Sequence, residues 1–219
     1  MKKLITFLII LILIGFYGCS DVENPESDDN QQKVEVPKVD LHSAVVTDDL
    51  DAIRQHVKAG SDLNVLEPSH ASTPLISAAA FGKTEAAKIL IDGGASLDYQ
   101  NADGSTALHT SSVFGTTEVA KLLIDAGADL NIKNKEGSAP IHIAAFFGQT
   151  EIVKALLDKG ADKNIKNAHG QTAYEIVSVP FEDIKFVYDA TSQAMRPLGV
   201  VMDYEKIKAA RPVIAEMLK

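Results

Sequence analysis

Tryptophan is absent from this 219-residue chain, and cysteine occurs once, at Cys19. With a single cysteine no intrachain disulfide can form, so packing alone must stabilise the fold. Aromatic residues make up only 6% of the chain, which leaves Leu, Ile, Val and Ala to build the core. Catalytic signatures are missing too. There is no GxSxG, no HExxH, no P-loop and no dinucleotide fingerprint. Acidic side chains are plentiful, but they fall at helix starts and in loops, where solvated roles suffice. A non-enzyme without a cofactor is expected. Basic residues are outnumbered, 21 against 30 acidic, for a net charge of −9. Nucleic-acid binding begins with the neutralisation of phosphates, so nucleic acid is not an expected partner. An anionic membrane surface would also repel the chain.

The first residues stand apart from the rest of the chain. Lys2 and Lys3 precede an apolar run from Leu4 to Tyr17, broken only by Thr6. Spanning a bilayer takes about 20 apolar residues, so the run reads as a signal peptide over residues 1–18. Its end, Phe16-Tyr17-Gly18-Cys19, resembles the lipobox of bacterial lipoproteins. The resemblance implies cleavage before Cys19, a lipid on that cysteine, and residence in the cell envelope on the periplasmic or extracellular side. Ser20 then points to the outer membrane rather than the inner one. A plain anchor or an unmodified signal peptide is the alternative. Loss of Lys2 and Lys3 leaves 19 basic residues against 30 acidic, a net charge of −11. Contact with the membrane would therefore run through the lipid alone. After Cys19 the segment to residue 38 is rich in Asp, Glu, Asn, Gln and Pro with no apolar period. It reads as a disordered acidic tether, with an r.m.s. span of roughly 25 Å.

Regularity begins at residue 39. Blocks 70–102, 103–135 and 136–168 are each 33 residues long and abut without a gap. They share an apolar segment after Thr-Pro or Ala-Pro, a Phe-Gly, a Thr-Glu, a Leu pair and a Gly-Ala. A fixed period of this length marks a stacked helical array. Residues 39–69 match with an offset of 34, the extra residue falling between Gly60 and Leu75. Polar residues such as Asp48, Arg54 and His56 suit that block to a capping role.

The marks have separate physical readings. Thr73 and Thr106 are placed to cap a first helix, and Pro74 and Pro140 to occupy its first position. Ala139 lacks the capping oxygen. Gly82, Gly115 and Gly148 end that helix. Thr84, Thr117 and Thr150 are expected to cap a second one, with Leu90, Leu123 and Leu157 on its buried stripe. Gly94, Gly127 and Gly160 come next as left-handed C-caps.

Taken together, the blocks resemble ankyrin repeats. The resemblance implies an all-α solenoid of about five helix-turn-helix repeats joined by β-hairpin loops, and a monomer that binds a partner protein. Such arrays present a concave groove and a row of hairpin tips. At the groove positions stand Phe81, Phe114 and Phe147, preceded by Ala80, Val113 and Phe146. Phe146 is expected to be the most exposed, because its counterparts are smaller. Packing of the phenylalanines between repeats is the alternative. The tip positions hold Gln100, Ala102, Asp103 and Ser105, then Lys133, Lys135, Glu136 and Ser138, then Lys166, His169 and Gln171.

His42, His109 and His142 occupy equivalent places. Stacked helices lie about 8–10 Å apart, too far for one ion with ligands near 2 Å. No metal site is expected, and backbone hydrogen bonding between repeats is. The fifth block, 169–219, opens in phase and then departs. Its second helix is expected at Arg211–Leu218, which leaves about 28 extra residues between the helices, at roughly 179–210. Within them a helix is expected from Asp183 to Met195, and Asp203 should cap another. This insertion either covers the end of the array or forms a ligand or partner site.

The core assignment is testable at one residue. Leu123→Ala should cost about 2–5 kcal/mol, and a thermal melt shifted by less than about two degrees would contradict it.

Overall fold

A computed structural model describes residues 35–219. The leader at 1–18, Cys19 and the tether as far as residue 34 lie outside the described residues. From Leu41 onward the chain forms pairs of short helices. They are α1 (Leu41–Thr47) and α2 (Leu50–Lys58), α3 (Pro74–Phe81) and α4 (Thr84–Asp92), and α5 (Ala107–Phe114) and α6 (Thr117–Asp125). Next come α7 (Pro140–Phe146) and α8 (Thr150–Asp158). In the last pair α9 (Ala173–Ser178) is separated from its partner α11 (Tyr204–Leu218) by α10 (Phe181–Met195) and a 3-10 turn. The odd-numbered helices α1 to α9 pack side by side as one layer, and α2, α4, α6, α8 and α11 form the second.

Local signals place the first-layer helices as expected. The side chains of Asp40, Thr73, Thr106 and Thr172 each accept the amide three residues on, whereas at Ala139 the backbone carbonyl takes the His142 amide instead. The second-layer caps differ from expectation. Thr84, Thr117 and Thr150 are the first helical residues, not the caps. The interhelix turn is so short that their amides bond back to Gly82, Gly115 and Gly148. The hydroxyls of Thr84 and Thr117 donate to the same glycine carbonyls. The turn residue itself must be left-handed. Gly115 has φ +68°, and Asp48 holds φ +62° at the equivalent place in the first repeat. Asp tolerates that region better than most side chains.

Leu75, Leu108 and Ile141 from the first layer and Leu90 and Leu123 from the second are fully buried. The third second-layer member is Leu156, not Leu157, which is only partly buried. Thr84, Thr117 and Thr150 each open their helix, so the seventh residue of each is the one that faces inward. In the middle repeat Ser111 and Ser112 replace the Ala pairs of its neighbours. Both are buried, and their hydroxyls donate to the carbonyls of Ala107 and Leu108 at 3.0 and 2.8 Å.

The described residues contain no strand, so the expected hairpins are turns. Asn101, Asn134 and Asn167 each accept two amides across their loop. Glu67 does this in the first loop, which is one residue longer. Its amide bonds to Ser72, five positions on, where Asn101 bonds to Ser105, four on. The longer carboxylate reaches Ser69, His70 and Ser72. The hydroxyl and amide of Ser69, with the other two amides, hold it down at about 2.

Buried histidines cross the repeat boundaries. His109 Nδ1 accepts the Thr106 amide, and Nε2 donates to the Ser138 carbonyl at 3.0 Å. His142 Nδ1 accepts from Ala139, and its Nε2 lies 3.0 and 3.1 Å from the carbonyls of Ile165 and Gln171. His42, half-buried, stays within its own block, its Nε2 reaching Val65 O at 2.9 Å. All three histidines bond backbone, and His109 and His142 do so between repeats as expected.

The insertion is latched from inside. Tyr188 is fully buried, stacks on Phe146 at 4.5 Å and donates to the Phe146 carbonyl at 2.9 Å. Arg211, only 3% exposed, donates to the Tyr188 hydroxyl at 2.8 Å and to the carbonyls of Ile176 and Val179. These carbonyls lie at the C-terminal end of α9, where a cation is favoured. Two expectations shift here. α10 starts at Phe181, directly after Pro180. The helix expected after Asp203 and the one expected at Arg211–Leu218 are a single helix, Tyr204–Leu218, which runs through Pro212. Asp203 caps it as expected, accepting the Lys206 amide. Its buried face is Ile207, Ala210, Arg211, Ile214 and Leu218, while Pro212 faces solvent.

These contacts can be tested by two measurements. Burial lowers His109 from 6.5 to about 4. The unfolded chain therefore takes up the proton first, and the histidine contribution is complete above pH 6.5 and is lost as pH falls toward 4. By pH 5 it should remove on the order of 2 kcal/mol, read as a lower urea midpoint than at about pH 7.5. A midpoint unchanged between those two values would refute the assignment. Arg211→Met strands the carbonyls of Ile176 and Val179, removes one of the two partners of the Tyr188 hydroxyl, and should cost about 2–4 kcal/mol. Limited proteolysis should then cut first between residues 179 and 203. Loss of protection spread evenly over the repeats would show that the latch is not local.

Candidate partner-binding surface

α3 and α5 end at Phe81 and Phe114, whereas α7 ends one place earlier, at Phe146, with Phe147 in the turn that follows. Phe81 is 60% exposed, while Val113, Phe114 and Phe147 are half-buried. Phe146 is not the exposed member of the row. Tyr188 covers one of its faces, and Phe147 packs edge-on against it at 5.2 Å. Its size, which suggested exposure, makes it the platform on which the insertion rests.

The tips are more tightly knit than free contact residues would be. Gln100 donates to the carbonyls of Gly104 and Lys133, at 2.8 and 3.0 Å. Lys133 donates to the Lys166 carbonyl at 2.8 Å. Backbone bonds repeat beside them, from Ala102 to His70, Lys135 to Asp103 and Ala168 to Glu136. Asp103, Lys135, Glu136, Lys166 and His169 remain exposed, and Ser105 and Gln171 are half-buried. Ser138 does not belong to a contact surface. It is 7% exposed, its amide is held by Asn134, and its carbonyl is taken by His109.

A cleft of about 250 Å³ joins the aromatic row to the insertion. Val113, Phe114, Phe147 and Gln149 form the repeat side. The opposite wall is the strap 199–203, with Lys206 and Ile207 from the start of α11. Gln149, Lys206 and the strap were not singled out from the sequence. Gln149 sits where other repeats carry Lys83 and Thr116, and the strap belongs to no period, so only its position outside the repeats marks it. One carboxylate oxygen of Asp203 accepts the Lys206 amide at 3.0 Å. The Lys206 ammonium takes part in no ion pair among the described residues. The cleft thus offers an apolar floor, an amide and a free cation. That set can hold a ligand, and it holds no nucleophile paired with a base.

Among the described residues no three His, Cys, Asp or Glu side chains come together in a group able to hold a metal. A search of curated proteins finds no match to this chain. The family model for ankyrin repeats (3 copies) matches residues 41–134, 94–167 and 126–184. These overlapping stretches run from the start of α1 through α9 and cover well over half of the sequence, so the chain belongs to the ankyrin-repeat family.

Proposed function

We propose that the chain is a non-catalytic scaffold for a partner protein, exported and held at the cell envelope by a lipid on Cys19. Ankyrin repeats generally mediate protein–protein interaction. The observation that carries the reading here is the aromatic row. Phe81 is 60% exposed, and Phe114 and Phe147, at the equivalent places, line a cleft. A solvent-facing aromatic on a rigid helical layer gains free energy only when something covers it. The exposed Asp103, Lys135, Glu136, Lys166 and His169 supply a polar rim. The protein acts as a monomer, and the lipid and tether set its location, with the outer membrane favoured over the inner.

The second reading, a small-ligand module, draws on the cleft. At about 250 Å³ it falls below the roughly 300–1,000 Å³ of drug-sized sites, which favours the protein-partner reading. A purely structural spacer would leave Phe81 without a role.

Two arms test the proposal. The tagged full chain, cross-linked in cells, should capture a defined partner that is lost at least tenfold in the Phe81→Ala, Phe114→Ala double variant. An unchanged partner list would remove the row as the site. Cys19→Ser should abolish labelling by a radioactive fatty acid and release the protein from membranes. Membrane retention without label would point to a plain anchor.

A further inference from the structure

The strap of the insertion belongs to no repeat. At the tips of the interrepeat loops Glu67, Asn101, Asn134 and Asn167 accept amides of their own loops. In the strap, among the described residues, no hydrogen bond engages the amides of Val201 and Met202 or the carbonyls of Val200, Val201 and Met202. Backbone groups left open in a row form a template for another chain. The same segment walls the cleft, and the floor across from it is Phe114 and Phe147. Val201, one of the residues lining the cleft, is 91% exposed.

We infer that this cleft binds an extended peptide segment of a partner protein, with one apolar side chain lodged over Phe114 and Phe147 and an adjacent carboxylate on Lys206. Charge complementarity fixes the acidic residue. Lys206 is the one cation lining the cleft and has no ion-pair partner among the described residues, whereas Asp203, the one carboxylate there, already has one oxygen engaged by the cap bond to the Lys206 amide. The cleft's volume of about 250 Å³ suits one or two side chains of such a segment. The open amides and carbonyls of the strap pair with the peptide backbone, giving affinity that depends little on sequence. The floor and Lys206 add selectivity. This assignment rests on the scaffold reading and narrows it to the boundary between the third and fourth repeats and the insertion.

The test pans the full chain in detergent against a phage library of random dodecapeptides. Enriched peptides should share an aliphatic or aromatic residue within two positions of Asp or Glu. A synthetic consensus peptide should bind at least tenfold more weakly to Lys206→Glu and to Phe114→Ala, and near normally to Lys206→Arg. Met202→Pro, which removes one open amide, should weaken it severalfold. Lys206 and Met202 lie outside the repeat core, so matching thermal melts keep these variants interpretable. No enrichment over the Lys206→Glu protein, a consensus without acidic residues, or binding indifferent to Lys206 would each overturn the inference. If the cellular partner is lost in Phe81→Ala but retained in Lys206→Glu, the cleft assignment falls and the scaffold reading stands. Loss of both arms removes both.

Discussion

Two helices of seven to nine residues cannot enclose a core, and the whole array depends on that limit. Each repeat has to hand its apolar face to the next. Leu75, Leu108 and Ile141 are fully buried because a neighbour completes their surroundings. The polar groups obey the same rule. His109 and His142 carry bonds from one repeat to the next, and so do Gln100 and Lys133 at the tips. A buried neutral imidazole can do this because one nitrogen accepts an amide within its own helix cap while the other donates across the boundary. Cohesion is therefore distributed, with no disulfide and few aromatics to concentrate it.

The fifth block departs from the repeat-to-repeat pattern. Its insertion extends α11 and lays Tyr188 onto Phe146 of the fourth repeat. Arg211 is the unusual element, since none of its partners is a carboxylate. A buried cation held by a phenol and carbonyls at the end of α9 is sustained by oriented dipoles. Burial accordingly pushes the Tyr188 hydroxyl up, opposed by the nearby Arg211 charge. The buried half of the insertion is thus fastened to the fourth repeat and to the end of α9.

The repeat architecture was legible because each mark is local. A Thr-Pro, a Phe-Gly and a Gly-Ala recurring in phase state where helices start and stop, and the structure places them there. The misreadings have separate origins. Thr84, Thr117 and Thr150 are chemically suited to capping, but the tight turn makes them the first helical residues. In α8 two adjacent leucines compete for one buried place, and the 33-residue period from Leu123 falls on Leu156, not Leu157. Phe146 failed for a third reason. Its cover comes from Tyr188, 42 positions away, and no local pattern encodes that contact. The extra residue of the first loop was visible as an offset of 34, yet the device that accommodates it was not. Glu67 replaces the shorter Asn of the other loops and reaches one residue further.

The candidate site was half legible on the same grounds. Phe114 and Phe147 repeat and could be found by period, whereas the strap, Gln149 and Lys206 acquire meaning only when the insertion folds back. Binding free energy depends on what must be ordered at the moment of association. Here the floor is set by packed repeats and the start of α11 by its Asp203 cap and buried Ile207. The wall is therefore tied down at its C-terminal end before a ligand arrives. A partner segment entering the cleft would bear chiefly its own ordering cost. That arrangement makes the irregular part of the chain the selective part, because the repeats supply a surface of a common kind and the insertion alone gives it a second wall.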